Sequence, residues 1–246
     1  MNRLLRKIIA SARRTEKPIP MNTISPLAFV DPAAALGADV TVESGAWIGP
    51  GSRIGDGAVV QSNAVIGRAH IPGQNEPTVV GPRCIVGSGA VLYHDVTLHE
   101  NAKVWHNAVI RAHVTIGAGA SIGSLSCIEI HTTIGRGTSV HGLCQIGDYS
   151  SVGDFVFIGP GFLSVSDIAL DYKRPHLHQP YSGVTIKDKA RIGGRVFAYP
   201  GSIIGEETVV GANSVVKGEL LDRVIYMGDP IRPVRKVKPE EFFPGV

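Results

Sequence analysis

The sequence predicts an all-β fold, a parallel β-helix wound from six-residue repeats, and three observations predict it. An aliphatic residue recurs every sixth position through 27 hexads, a small or β-branched residue stands two positions before each, and the phase survives two interruptions. The series runs from Val30 to Ile66, from Val80 to Ile158 and from Ile186 to Val216, and Ala198 is its only member outside Ile, Leu and Val. Residues i and i−2 of a strand share a face, so each hexad reads as a short strand with two inward side chains. The glycine that often follows the aliphatic then marks a tight corner where positive φ is tolerated. Three hexads close a triangular coil, so 27 hexads make nine coils. Stacked at about 4.8 Å, they give a prism on the order of 40 Å long. No hexad buries much alone; stacking makes the core continuous.

The solenoid is expected over residues 28–218, followed by a tail over 219–246 and preceded by a short basic helix over 1–20. Residues 1–17 carry Arg3, Arg6, Lys7, Arg13, Arg14 and Lys17 against Glu16, a local +5, so the rest of a chain of net +3 carries −2. The body is therefore not a nucleic-acid surface. Leu4, Leu5, Ile8 and Ile9 form an apolar stripe at helical spacing, which suits a helix capping the solenoid. Contact of residues 1–17 with an anionic membrane surface and a targeting role are the alternatives. Aromatics are only 6%, so the core must be aliphatic. No apolar run is long enough to span a bilayer. The three cysteines, Cys84, Cys127 and Cys144, are odd in number and lack C-x-x-C spacing, which suits a reduced cytoplasm.

Both interruptions keep the phase of the faces. Ile66 to Val80 is 14 residues, one hexad plus eight, and Ile158 to Ile186 is 28, one hexad plus twenty-two. Both read as loops extruded at a corner, over 67–79 and 160–183, and long loops in compact repeats are usually functional. The second carries Asp167, Asp171, Tyr172, Lys173, Arg174, His176 and His178, of which Asp167, Tyr172 and Arg174 are the candidate substrate contacts. Counting faces from Val30 puts Ile158, where the long loop is expected to leave, on the face of Val140. His141 then shares the loop's edge one coil below it, with His106 two coils further away. His94, Asp95, His113, His131 and Tyr149 fall on a second edge with the shorter insertion and His70, and the last four of the column, Asp95, His113, His131 and Tyr149, recur every 18 residues.

The hexad pattern resembles the bacterial hexapeptide acyltransferases over roughly Val30 to Lys236. Gly228-Asp229-Pro230-Ile231-Arg232-Pro233-Val234-Arg235 looks like that family's G-x-P-A-[KR]-x-[IV]-R tail. Phe157-Ile158-Gly159-Pro160-Gly161, the loop and Val184-Thr185-Ile186 are similar to sugar and nucleotide-sugar acetyltransferases. The resemblance implies a left-handed coil, a homotrimer of prisms packed side by side, and acetyl-CoA or another acyl-CoA in the groove between two of them. The implied activity is acyl transfer to an amino or hydroxyl group of a sugar or nucleotide-sugar acceptor, with no metal. Lys217, Arg232 and Arg235, near the C-terminal coils, are then the candidate phosphate contacts. Val140-His141-Gly142-Leu143-Cys144-Gln145-Ile146 looks like the V-D-H-D-C-Q-L hexad that holds the base in one nucleotide-sugar group, with the histidine one position early. Leu92-Tyr93-His94-Asp95-Val96-Thr97-Leu98 keeps the H-D register but lies eight hexads earlier. Histidine suits general-base work near neutral pH, so His141 is the expected base, with His131 and His113 next.

Two other functions compete. Val104-Trp105-His106-Asn107-Ala108-Val109-Ile110-Arg111 resembles the W-x-x-A-[VIL]-[VIL]-R-x-D stretch of γ-class carbonic anhydrases, with His113, His131 and His141 cast as zinc ligands. His113 stands where that family has its aspartate, and its Q-D pair is missing here. A non-catalytic solenoid scaffold is the third reading. Outward Trp47, Val59, Val65, Val79, Ile85 and Val91 put apolar surface on flat faces, which suits assembly.

Overall fold

A computed structural model describes residues 21–69 and 76–244. The expected basic helix over 1–20 and His70 lie outside the described residues. The chain winds as a parallel β-helix of triangular section with three sheets. Sheet A starts at Thr23–Ile24, sheet B at Phe29–Val30 and sheet C at Ala35–Leu36, and successive strands visit them in turn. Sheets B and C hold ten strands each and sheet A twelve, of which the last, Arg232–Lys236, folds back antiparallel on Val224–Met227.

All 27 expected hexads are strands, and their aliphatics fill the interior: Ile48, Ile66, Leu92, Ile110, Ile128 and Ile146 along sheet B are fully buried. Four further parallel strands extend the series. Thr23–Ile24, Glu219–Leu220 and Val224–Met227 lengthen the prism at its ends, so it runs from Thr23 to Met227 rather than over 28–218. They give ten complete coils and the start of an eleventh instead of nine.

The fourth added strand, Leu163–Ser164, lies inside the stretch 160–183 expected to be loop. It pairs with Gln145 on one side and with Phe197–Ala198 on the other, in sheet B. Here the two inward positions have exchanged sizes. Phe162 fills the small position and Ser164 the aliphatic one, both fully buried, and Ser164 Oγ accepts the Gly147 N–H at 2.9 Å. The total volume is kept, so the coil closes although the aliphatic signature is gone.

The corner glycines have a different reason from the one expected. Apart from Gly67, whose φ is 78°, glycines directly after the aliphatic sit where the next coil passes close: a Cβ on Gly117 would meet Arg136 N at 2.5 Å, and one on Gly159 would meet Gly194 N at 2.7 Å. Positive φ falls two residues later, as at Gly51, Asn63 and Asn107.

Because Phe162 is a fully buried aromatic plug among aliphatics, Phe162→Ala leaves a cavity that Ser164 cannot fill. The expected cost is about 3–5 kcal/mol, read as a large drop in the apparent Tm, whereas exchange with Leu should cost far less.

Candidate active site

Each coil stacks on the next in constant register, with Val109 over Cys127 and Cys127 over Gln145. Corner residues 18 apart therefore form vertical columns. Along the edge from sheet B to sheet C one column is Tyr93, Arg111, Glu129, and another is Asp95, His113, His131, Tyr149. In the second column the rings stack. His113 and His131 are 4.6 Å apart at 4° to parallel, and His131 and Tyr149 are 5.0 Å apart at 13°. All four residues hold φ between 53° and 61°, the conformation that Gly51 and Gly201 supply in the same corner of other coils. Side chains other than glycine pay roughly 1–2 kcal/mol for it.

His113 is oriented from below. Its Nδ1 lies 2.7 Å from Asp95 Oδ2. A carboxylate only accepts, so Nδ1 carries a proton towards Asp95, and the neutral ring then keeps its lone pair on Nε2. His94, only 2% exposed, meets His113 edge-on at 5.4 Å and places its own Nδ1 3.0 Å from Glu76 Oε2. Tyr93, His94, Arg111, His113, Ile130 and His131 line a recess of about 210 Å³.

The long loop rises from this same edge, because strand Leu163–Ser164 carries the chain past the sheet A corner. The edge that the sequence assigned to the loop is thus corrected: it is not the edge of His141. Ser166 Oγ donates to Asp148 Oδ2 at 2.7 Å, and Ser182 N donates to Ser166 O at 2.9 Å, closing the loop's stem. Gly183 passes directly against the Tyr149–Ser150 backbone, where a Cβ would collide. The stem therefore sits on top of the His113–His131–Tyr149 stack.

His141 lies on the edge from sheet A to sheet B, exposed, its ring edge-on to Phe157 at 4.9 Å. His113, His131 and His141, cast together as zinc ligands, stand on two different edges of the chain. His106, on the edge of His141, uses Nδ1 to accept the Ser88 N–H at 3.1 Å. The loop residues turn inward on the loop itself. Asp167 caps Ala169 N at 2.8 Å and Leu170 N at 2.9 Å, Arg174 donates to Tyr172 O at 3.1 Å, and exposed Tyr172 carries Lys173 over its ring at 5.3 Å. None of the three expected substrate contacts is joined to the histidine stack by a direct contact. The sequence reading did not single out the Asp171–His178 pair, 2.6 Å apart; both residues lie in the loop, but nothing in their spacing of seven announced it.

Of the expected phosphate contacts, Lys217 and Arg232 line a groove of about 480 Å³ with Phe197, Tyr199, Val215 and Ile231, and Lys217 Nζ stands 5.6 Å over the Tyr199 ring. Tyr199 and Lys217 continue the column of Tyr93, Arg111 and Glu129, so this groove opens on the same edge as the stack. Arg235 is not part of it. It pairs with both carboxylate oxygens of Glu241 at 2.7 and 2.8 Å, which holds Glu241 down to about 2.

The thiols are quenched. Burial pushes Cys84 up to about 11. Burial, then the charge of Glu129 and the 3.3 Å hydrogen bond to its Oε1, push Cys127 up to about 12. Burial also raises Cys144.

Comparison with known proteins gives the class. The family described as bacterial transferase hexapeptide (six repeats) matches residues 77–112 and 95–129. Those residues carry that family's six-residue repeat, and the rest of the prism continues the same coil. The galactoside O-acetyltransferase of Escherichia coli is 33% identical over 95 residues, 37% of this chain and 47% of its own length. That of Lactococcus lactis is 32% identical over 95 residues, 37% of this chain and 45% of its own. The chain thus spans less than half the length of these curated relatives. The UDP-N-acetylglucosamine acyltransferase of Francisella novicida superposes with a TM-score of 0.59 over 89% of this chain and 75% of its own, at 17% identity, and shares the left-handed β-helix. Among the described residues no helix is long and apolar enough to cross a membrane.

The thiol shifts set an alkaline limit. Each raised thiol stays neutral in the fold while the unfolded chain ionises near 9, so its stabilising contribution is full below pH 9 and is lost as pH rises towards 11–12. Melting temperature measured from pH 8 to 11 should fall more steeply for the wild type than for Cys84→Ala, which places at 84 the residue already present at Ala102.

Proposed function

We propose that the chain is an acyl-CoA-dependent acyltransferase that moves an acetyl or other short acyl group to an amino or hydroxyl group of a sugar-type acceptor, and that it works as a homotrimer. One observation carries the reading: a single edge unites the cationic groove of Lys217 and Arg232, the stem of the long loop, and the Asp95-oriented His113. Phosphates bind at the groove, and the acyl arm runs down the edge towards the stack. His131 lies four coils below Lys217, about 19 Å at the spacing of stacked strands. The half-buried Trp47, Val59, Val65 and Val79 on the flat faces support side-by-side packing.

In the reaction, the acceptor's oxygen or nitrogen attacks the thioester carbonyl carbon while His113 Nε2 takes its proton. The tetrahedral intermediate then collapses, the C–S bond breaks, and the CoA sulfur leaves with that proton. Asp95 fixes the tautomer and steadies the imidazolium that forms, the part a carboxylate plays behind a catalytic imidazole. His131 and Tyr149 hold the ring from above and shield one face from water.

His113→Asn is expected to lower kcat by about 10²–10⁴-fold with little change in KM for acetyl-CoA. Asp95→Asn should cost less, and His141→Asn should leave turnover near that of the wild type, all read by release of free thiol. A dead His141→Asn beside an active His113→Asn would put the base on the other edge.

Calorimetry should show acetyl-CoA binding by the intact protein, weakened by about 1–2 kcal/mol in Lys217→Ala or Arg232→Ala. Arg235→Ala should change it little, because Glu241 already occupies that guanidinium. Absence of binding by the wild type would defeat the acyl-transfer reading.

A further inference from the structure

We propose that the recess beside the histidine stack is an anion subsite, and that the acceptor is an acidic small molecule whose carboxylate or phosphate seats on Arg111. The acceptor's role rests on the acyl-transfer reading; the binding itself does not.

Among the described residues the lining of the recess contains one full cation, three imidazoles and no carboxylate. Of the acids on this edge, Asp95 is engaged by His113, and Glu76 Oε2 stands 3.0 Å from His94 Nδ1 without a hydrogen bond between them. Glu129, one coil above Arg111 in the same column, accepts from Cys127 Sγ at 3.3 Å. Arg111 itself lies over the Tyr93 ring at 5.0 Å, and among the described residues it forms no ion pair. A guanidinium stacked by its face keeps its N–H fork for a planar or tetrahedral anion, to which it can donate two parallel hydrogen bonds. His131, exposed at the mouth, adds an imidazole donor. Arg111 is half-buried beside these imidazoles, so an anion seated on it gains a charge-assisted partner in a partly desolvated site.

The placement also serves chemistry. Arg111 and His113 are two residues apart on one corner, so an anion on Arg111 brings the remainder of a small acceptor to the imidazole. The recess, about 210 Å³, accommodates an acidic group and leaves the bulk of the molecule outside, under the loop. Neutral sugars lack the group that this wall is built to receive.

The test titrates the full chain calorimetrically with glucuronate, glucose 6-phosphate and glucose, with acetyl-CoA binding measured in parallel. Glucuronate or glucose 6-phosphate should bind at least about tenfold more tightly than glucose, and Arg111→Gln should erase that preference. Arg111→Lys, which keeps the charge and loses the fork, should retain part of it and covers the case in which Arg111→Gln fails to fold. Preference for glucuronate identifies a carboxylate acceptor, and preference for glucose 6-phosphate a phosphorylated one. Equal binding of all three compounds, or an acid preference that survives Arg111→Gln, overturns the subsite. So does loss of assembled mass by light scattering in Arg111→Gln, which would make Arg111 a contact between copies. Arg111-dependent acid binding without acetyl-CoA binding upholds the subsite and defeats acyl transfer; acetyl-CoA binding without acid preference does the reverse.

Discussion

The constant register of coil on coil is the constraint from which the rest of the molecule follows. Each strand donates and accepts straight up and down, as in the pairs Val91 with Val109 and Val109 with Cys127, so a residue's neighbour is the one 18 positions away except across the insertions and in the last coil, where Ile203 meets Glu219 and Val209 meets Ile225. Every inward aliphatic rests on another, and burying one fully is worth about 1.5–3 kcal/mol. A single side chain gains little from this, but a break in register would misplace all those above it. The ladder therefore tolerates exchange of volume within a coil, as between Phe162 and Ser164, far better than a change of phase.

The same register converts corners into columns, and columns create the candidate site. A lone histidine on a turn would be a hydrated surface group. Repeated at 113 and 131 and continued by Tyr149, it becomes a stack of parallel rings whose freedom is limited by its neighbours. Asp95 at the foot of the column then fixes one tautomer of His113. The left-handed backbone at these corners turns each side chain outward along the edge, so strain at the corner and presentation of the ring have one origin.

The loop adds what repetition cannot. Its stem is pinned by Ser166 on Asp148 and by Gly183 against Tyr149, while its body satisfies its own polar groups through Asp167 and the Asp171–His178 pair. Ile168, Leu170, Tyr172, Leu177 and Tyr181 remain exposed on it. A segment that settles its own hydrogen bonds and leaves apolar side chains outside is suited to cover a neighbouring surface rather than to fill the core beneath it.

The sequence by itself determined the coil, because a period of six with small and aliphatic residues in alternation has one compact solution. It also determined the histidine column, since Asp95, His113, His131 and Tyr149 are spaced by one coil. It singled out Lys217 and Arg232 by their position near the C-terminal coils, and the two line one groove. It misjudged the edge of the loop, because the aliphatic rule reads residue identity and Ser164 breaks that rule while Phe162 preserves the volume. Only the tertiary structure decided that the strand Leu163–Ser164 exists, and with it that the loop stands over His131 rather than His141. The pairing of Arg235 with Glu241 and the capping role of Asp167 were likewise invisible in the sequence. Hydrogen bonds and ion pairs depend on where side chains meet in space, whereas the period depends only on their order along the chain.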